Sequence, residues 1–231
     1  MKKVAVITGC NRGVGEGVRN KLLEAGYQVY GINRTKANVI EQTDSYKELI
    51  CDVSNAEELE KACKNIDGKI DLLVLNAGIR KFGKISELSV EDFSYSIDVN
   101  LKGPFYVLTF LLEKVKKAKG SIVFIGSHAG RYPFGNGAAY CSSKRGVEAL
   151  AECLMEEVRR EGVKVIHLSL GAIKNREHGY EEGWKIKPEE IGKAILKLLD
   201  MPENLLFSDI NLRPQTPKQL EMEGIELMQY K

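Results

Sequence analysis

With 231 residues, 43% of them hydrophobic, and a formal net charge of only +2, the chain can close one sizeable core but offers no basic stripe to neutralise a phosphate backbone. Nucleic acid is therefore excluded as an expected partner, and without a linker-like composition shift the chain reads as one domain over residues 1–231. The first apolar run, Val4 to Ile7, is too short for a signal peptide and no later stretch reaches a membrane span, so a cytoplasmic protein with no membrane partner is expected.

Short β-branched runs alternate with helical patterns along the chain. VAVIT precedes a predicted helix near Val14 to Ala25; QVYGI and ELICDV follow, then a helix near Ala56 to Ile66 and the run LLVLN. Helical stretches around Glu91 to Lys117 lead to SIVFIG, a helix from about Gly137 to Glu161, VKVIHLSL, a helix near Pro188 to Leu199, and LLFSDINL. Strands that are nearly continuous apolar runs are buried on both faces, which a parallel sheet covered by crossover helices requires. The expected fold class is α/β, a doubly wound parallel sheet. Ligands of such sheets bind beyond the carboxyl ends of the strands, where strand order reverses, so strand-end residues are the first candidates for a site. The five cysteines, Cys10, Cys51, Cys63, Cys141 and Cys153, lack any CxxC or Cys/His spacing, which fits reduced thiols and no metal site.

Directly after the first strand stands Thr8-Gly9-Cys10-Asn11-Arg12-Gly13-Val14-Gly15, opening an amphipathic helix. Glycines let a backbone turn tightly against a pyrophosphate, and the helix start offers free N–H groups and positive potential. Gly9, Asn11, Arg12, Gly13, Val14 and Gly15 are therefore candidate dinucleotide contacts. Tyr140 and Lys144 lie four residues apart in a predicted helix and so project from one face, where an ammonium favours the phenolate form of a nearby tyrosine. Ser127 stands at the end of SIVFIG, on the ligand-binding edge of the sheet. At the end of the second strand, GINRT, a carboxylate would bind ribose hydroxyls and exclude a 2′-phosphate; here Asn33 occupies that place, followed by Arg34, so Arg34 and Arg12 are placed to meet a phosphate dianion.

The GxxxGxG spacing of the turn resembles that of the short-chain dehydrogenase/reductase family, and the segment GSIVFIGSHAGRYPFGNGAAYCSSK looks very like its active-site segment. The resemblance implies a Rossmann-like single domain and an enzyme acting on CH–OH or C=O groups with NADP(H). It places Asp52 and Val53 at the adenine ring, and Asn76, Ala77 and Gly78 at the family's strand-end NAG motif. It makes Asn100, Ser127, Tyr140 and Lys144 the catalytic set. Ser127 would hydrogen-bond the substrate oxygen, Tyr140 would exchange its proton, Lys144 would lower the tyrosine pKa and hold the nicotinamide ribose, and Asn100 would position Lys144 and a water chain. Gly171 and Ile173 would stand at the nicotinamide carboxamide, although Leu170 and Asn175 replace the family's usual proline and threonine there. His128, beside Ser127, is assigned no catalytic part.

The substrate loop, about 172–187, is short and carries few apolar residues, which points to a small polar substrate such as a hydroxy or keto acid or a 3-oxoacyl compound, with Lys174, Arg176 or Lys185 as candidate carboxylate partners; Glu177, Glu181 and Glu182 nearly balance them, and a solvated mixed-charge loop is the stronger reading of these charges. The helical stretches around Phe105 to Val115 and Ala138 to Val158 are apolar on more than one face, and the resemblance implies a homodimer or homotetramer. From a different class, a non-catalytic NADP(H)-binding regulatory protein would keep the glycine turn without the chemistry. A sugar-nucleotide epimerase would need a larger C-terminal substrate region.

Overall fold

The computed structural model describes residues 2–36, 43–174, 183–202 and 204–216. Within them β1 (Val4–Thr8), β2 (Gln28–Asn33), β3 (Tyr46–Ile50), β4 (Leu72–Leu75), β5 (Ser121–Ile125), β6 (Lys164–Leu170) and β7 (Asp209–Leu212) form one sheet. The strand order is β3-β2-β1-β4-β5-β6-β7 with every neighbouring pair parallel. In the centre, Ile7 pairs with Gly31 on one side and Val74 on the other. Order reverses between β1 and β4, so the crevice that a doubly wound sheet offers a ligand opens beyond Thr8 and Leu75.

Alternation along each strand sends successive side chains to opposite faces, and each face has its own core. Val6, Tyr30, Ile32, Leu73, Phe124 and Val165 bury against α2 (Ala56–Lys64), α4 (Gly103–Ala118) and α6 (Ala138–Val158). Ala5, Ile7, Val29, Val74, Val123 and Leu168 bury against α1 (Gly13–Glu24) and α7 (Pro188–Leu199). Local chemistry sets the helix starts: the side chain of Asn55 accepts from the amides of Glu57 and Glu58, that of Ser89 accepts from Asp92, and Pro188 opens α7. α3 (Val90–Ile97) continues into α4 through a π-helical segment, Asp98–Lys102, so the predicted helical stretch bulges at Asn100. A short helix, α5 (His128–Arg131), follows Ser127 where the sequence pattern predicts only a strand end. No helix among the described residues is long and apolar enough to cross a membrane.

α1 and α7 touch through glycines. A Cβ on Gly17 would come within 2.3–2.6 Å of the Pro188–Glu189 backbone, and one on Gly192 within 2.9 Å of the Gly17 carbonyl. Gly17→Val is therefore expected to lower stability by about 1–3 kcal/mol through overpacking, read as a lower urea midpoint at unchanged slope. An unchanged midpoint would mean that the two helices separate without cost.

Candidate active site

The glycine turn is built to bring its backbone close to the end of β4. Gly9 and Gly13 have φ of 66° and 58°, a region that favours glycine. A Cβ on Gly9 would stand 2.9 Å from the Ala77 Cα. Asn76 clips the two segments together, its side-chain amide donating to the Thr8 carbonyl at 3.0 Å and the Gly9 carbonyl at 2.7 Å, while Thr8 Oγ1 accepts from the amides of Asn76 and Ala77 at 3.0 Å each. Gly15 is there for packing, since a Cβ on it would lie 2.2 Å from the Gly9 carbonyl oxygen and α1 can pass beneath the turn only with glycine at that position. Next to Gly13, by contrast, a Cβ would meet nothing within 4 Å, and Gly9, Asn11, Arg12, Gly13 and Val14 line an open cleft at the start of α1.

The second-strand end differs from the expectation. Asn33 is buried and does not line the cleft. Its Oδ1 accepts from the Cys10 amide at 2.7 Å and its Nδ2 donates to Glu48 Oε1 at 2.8 Å and the Tyr46 hydroxyl at 3.4 Å. Asn33 thus braces the glycine turn from below, because alternation turns its side chain to the face that carries Cys10 and Tyr46. Arg34 and Thr35 line the cleft in its place; Arg34 donates to the Tyr95 hydroxyl, and Asn11 donates to the Thr35 carbonyl at 3.0 Å. Asp52 and Val53 lie just beyond β3 on the same cleft. The Asp52 carboxylate is engaged by the Ser54 amide at 2.9 Å and hydroxyl at 2.7 Å.

Ser127, Tyr140 and Lys144 meet on the cleft wall beyond β5, with Gly78 and Ala77 facing them from β4. Lys144, although buried, donates only to the Ile125 carbonyl, at 2.9 Å, and forms no ion pair among the described residues. Burial pushes its pKa down, the phenol of Tyr140 opposes that, and Arg80 adds repulsion. Around Tyr140, burial raises the pKa, but the charge of Lys144, the charge of Arg80 and hydrogen bonds from Ser127 and Arg80 together hold it below the ordinary tyrosine range. The amide of Asn100 exchanges hydrogen bonds with the Ile79 backbone at 2.8 and 3.0 Å and donates to Ser143 Oγ at 2.9 Å. Ser143 Oγ in turn donates to the Tyr140 carbonyl at 2.8 Å.

Arg80 is a site residue that no sequence motif points to; it stands in the loop after the Asn76-Ala77-Gly78 strand end. His128 is buried with its ring Nε2 accepting from Arg213 at 3.3 Å, and it does not line the cleft. Beyond β6, Leu170, Gly171, Ile173 and Lys174 line the cleft; the Gly171 amide donates to the Leu212 carbonyl at 2.9 Å and Ile173 bridges to Ile186. Lys185 lies 5.5 Å above the Trp184 ring. Asn175, Arg176, Glu177, Tyr180, Glu181 and Glu182 lie outside the described residues. A separate trio, Glu148, His167 and Asp209, brings its ligand atoms within 4.8 Å. Arg131 pairs with both carboxylates, at 2.5 Å from Glu148 and 2.6 Å from Asp209, with Arg145 a second cation on Glu148 at 2.7 Å, and so ties α5 to α6 and β7.

The cleft encloses about 770 Å³ and runs from Arg34 and Asp52 past the glycine turn to Tyr140 and Lys174. That run fits a nicotinamide dinucleotide: glycine backbone with open space at its centre, arginines at the β2 end, and the tyrosine and lysine at the other. Asn76→Ala deletes both amide hydrogen bonds to the turn and is expected to cost about 1–3 kcal/mol of stability and to weaken dinucleotide binding. Wild-type values in urea unfolding and NADPH titration would show that the turn is held by other means.

The sequence profile of the short chain dehydrogenases matches residues 3–182. An uncharacterised oxidoreductase of Staphylococcus epidermidis is 31% identical over 224 residues, covering 92% of this chain and 97% of the relative. Its counterpart in Staphylococcus aureus is 30% identical over 225 residues, with the same coverage of 92% and 97%. Among solved structures, an alcohol dehydrogenase from the archaeon Thermococcus sibiricus, complexed with 5-hydroxy-NADP, superposes with a TM-score of 0.82 at 29% identity over 94% of this chain and 100% of that one. A serine dehydrogenase from Escherichia coli shares the fold, with a TM-score of 0.83 at 24% identity over 93% of this chain and 99% of that one.

Proposed function

The chain belongs to the short-chain dehydrogenase family and is in general terms an oxidoreductase with a nicotinamide cofactor; from that premise we propose that it moves hydride between NADP(H) and the carbonyl or secondary alcohol of a small polar substrate, with Tyr140 as acid and base. Hydroxy or keto acids and 3-oxoacyl compounds are the substrate classes considered. The observation that carries this reading is a tyrosine held below its ordinary pKa and set beside Ser127 and the buried Lys144 on the wall of a cleft of dinucleotide size. A sensor that only binds the dinucleotide has no use for such an acid.

The bound nicotinamide supplies or accepts the hydride. Ser127 and Tyr140 hold the substrate oxygen between them, and Tyr140 gives up its proton as charge develops there in reduction, or takes it back in oxidation. Lys144 stabilises the phenolate left behind. Asn100, through Ile79 and Ser143, fixes the backbone that carries these groups. Arg12 and Arg34 on the cleft, with no carboxylate at the end of β2 turned toward it, support NADP(H), as does the 5-hydroxy-NADP in the Thermococcus sibiricus enzyme. The half-exposed Phe105 on α4 and the exposed Phe93 on α3 support self-association as a homodimer or homotetramer.

Tyr140→Phe is expected to lower kcat/KM for NADPH-dependent carbonyl reduction by roughly 10²–10⁴-fold, the usual contribution of a positioned acid. Full activity in that variant would contradict the assignment. Reduction needs protonated Tyr140 and should fall as pH rises through its lowered pKa, whereas oxidation needs the phenolate and should fall as pH drops below it. Lys144→Met removes the stabilising cation, so both limbs should move to higher pH; limbs that stay in place would detach Lys144 from the tyrosine. In fluorescence titrations NADPH should bind more tightly than NADH, and removing both Arg12 and Arg34 should cost NADPH about 10–100-fold while sparing NADH. Tighter binding of NADH by the wild-type protein would overturn the cofactor choice.

A further inference from the structure

The loop after β4 places a second cation at the reacting centre. Arg80 lines the same wall as Ser127 and Tyr140, close enough for its charge to pull the Tyr140 pKa down, so it stands beside the place where a substrate oxygen on Tyr140 must sit. Among the described residues no carboxylate pairs with Arg80, whereas its neighbour Lys81 is engaged by Asp92 at 2.8 Å. The one carboxylate on the described cleft wall, Asp52, lies beyond β3, four strands from β5 and thus about 19 Å away at ordinary strand spacing. Arg80 is exposed, yet its backbone is anchored: both the N–H and the C=O of Ile79 are held by Asn100. Preorganisation of this kind lowers the ordering cost of binding a ligand.

We propose that Arg80 is a specificity-determining residue whose guanidinium binds a carboxylate close to the reacting carbon, making the substrates 2- or 3-hydroxy acids and the corresponding oxo acids. This rests on the reading of Tyr140 as the acid and base, and it moves the carboxylate partner from the loop lysines to the β4 end. The physical grounds are charge and reach. Lys144 and Arg80 set two cations around one neutral phenol, and a bound carboxylate offsets that excess. A guanidinium presents a planar fork that matches a carboxylate, and one on the cleft wall beside Tyr140 can meet a carboxylate only a few bonds from the substrate oxygen held there.

The test compares 2-oxo and 3-oxo acids with their methyl esters, using the whole protein and NADPH. Any change that Arg80 imposes on the acidity of Tyr140 acts on acid and ester alike and cancels in their kcat/KM ratio. Wild-type protein should favour the acids by at least about 10-fold, Arg80→Gln should collapse that preference by about 10–100-fold, and Arg80→Lys, keeping charge without the fork, should fall between. An equilibrium arm titrates butyrate and butyramide against the NADPH complex, read by bound-NADPH fluorescence, in wild type, Arg80→Gln and Tyr140→Phe. Butyrate should bind more tightly than butyramide in wild type and in Tyr140→Phe, and lose that margin in Arg80→Gln. Butyrate binding that depends on Arg80, in a protein that reduces neither acids nor esters, would support the anion site while defeating the proposed reaction. An acid-to-ester ratio unmoved by Arg80→Gln, or butyramide binding as tightly as butyrate, would overturn the role of Arg80.

Discussion

A buried ammonium with no carboxylate partner among the described residues is the constraint around which this site is organised. Lys144 is 6% exposed and donates only to the Ile125 carbonyl among the described residues. Burying an unpaired cation costs several kcal/mol unless the surroundings supply compensating negative charge. A group able to do so is the phenol of Tyr140, one helical turn away on α6. The lysine therefore gains from every increment of phenolate character, and the tyrosine is made more acidic. A sheet that ends β5 at Ile125, and an α6 that begins at Ala138, put the two in place.

Most of this was legible in the sequence because it follows from periodicity. Four residues on a helix put Tyr140 and Lys144 on one face, and a strand-end Ser127 on a parallel sheet reaches the ligand edge. The glycine turn and the alternating α/β order were equally readable from spacing, and the strand-end Asn76 from the family resemblance. Three features were not. The side chain of Asn33 sits at a strand end that faces ligands in general, but pairing with Cys10, Tyr46 and Glu48 turns it under the glycine turn, and those partners come from separate strands and loops. Asn100 falls in a π-helical bulge that no helical pattern announces, and its partners are Ile79 and Ser143. Arg80 belongs to no motif. Treating each residue just past a strand end as a site candidate would have found it, since it follows the Asn76-Ala77-Gly78 triplet by two positions.

Cation placement also separates the two halves of the cleft. Arg12 and Arg34 stand at the β2 end of the cleft, while Arg80 and Lys144 stand at the other end with Tyr140. Arginine at both places matters because its fork matches phosphate and carboxylate alike, so recognition is set by what each position can reach. Asn100 links the reacting end into one rigid unit, joining the β4 loop to α6 through Ile79 and Ser143. Fold and chemistry are thus coupled through a few buried hydrogen bonds.

The central claim, that the buried Lys144 cation sets the acidity of Tyr140, is tested most directly by NMR titration of protein carrying ¹³C at the tyrosine ring carbon bonded to oxygen, with Tyr140→Phe identifying the signal. The account predicts that Tyr140 titrates below the ordinary tyrosine range and that Lys144→Met moves it upward. A Tyr140 signal that titrates as an ordinary tyrosine, or that is indifferent to the loss of Lys144, would contradict it.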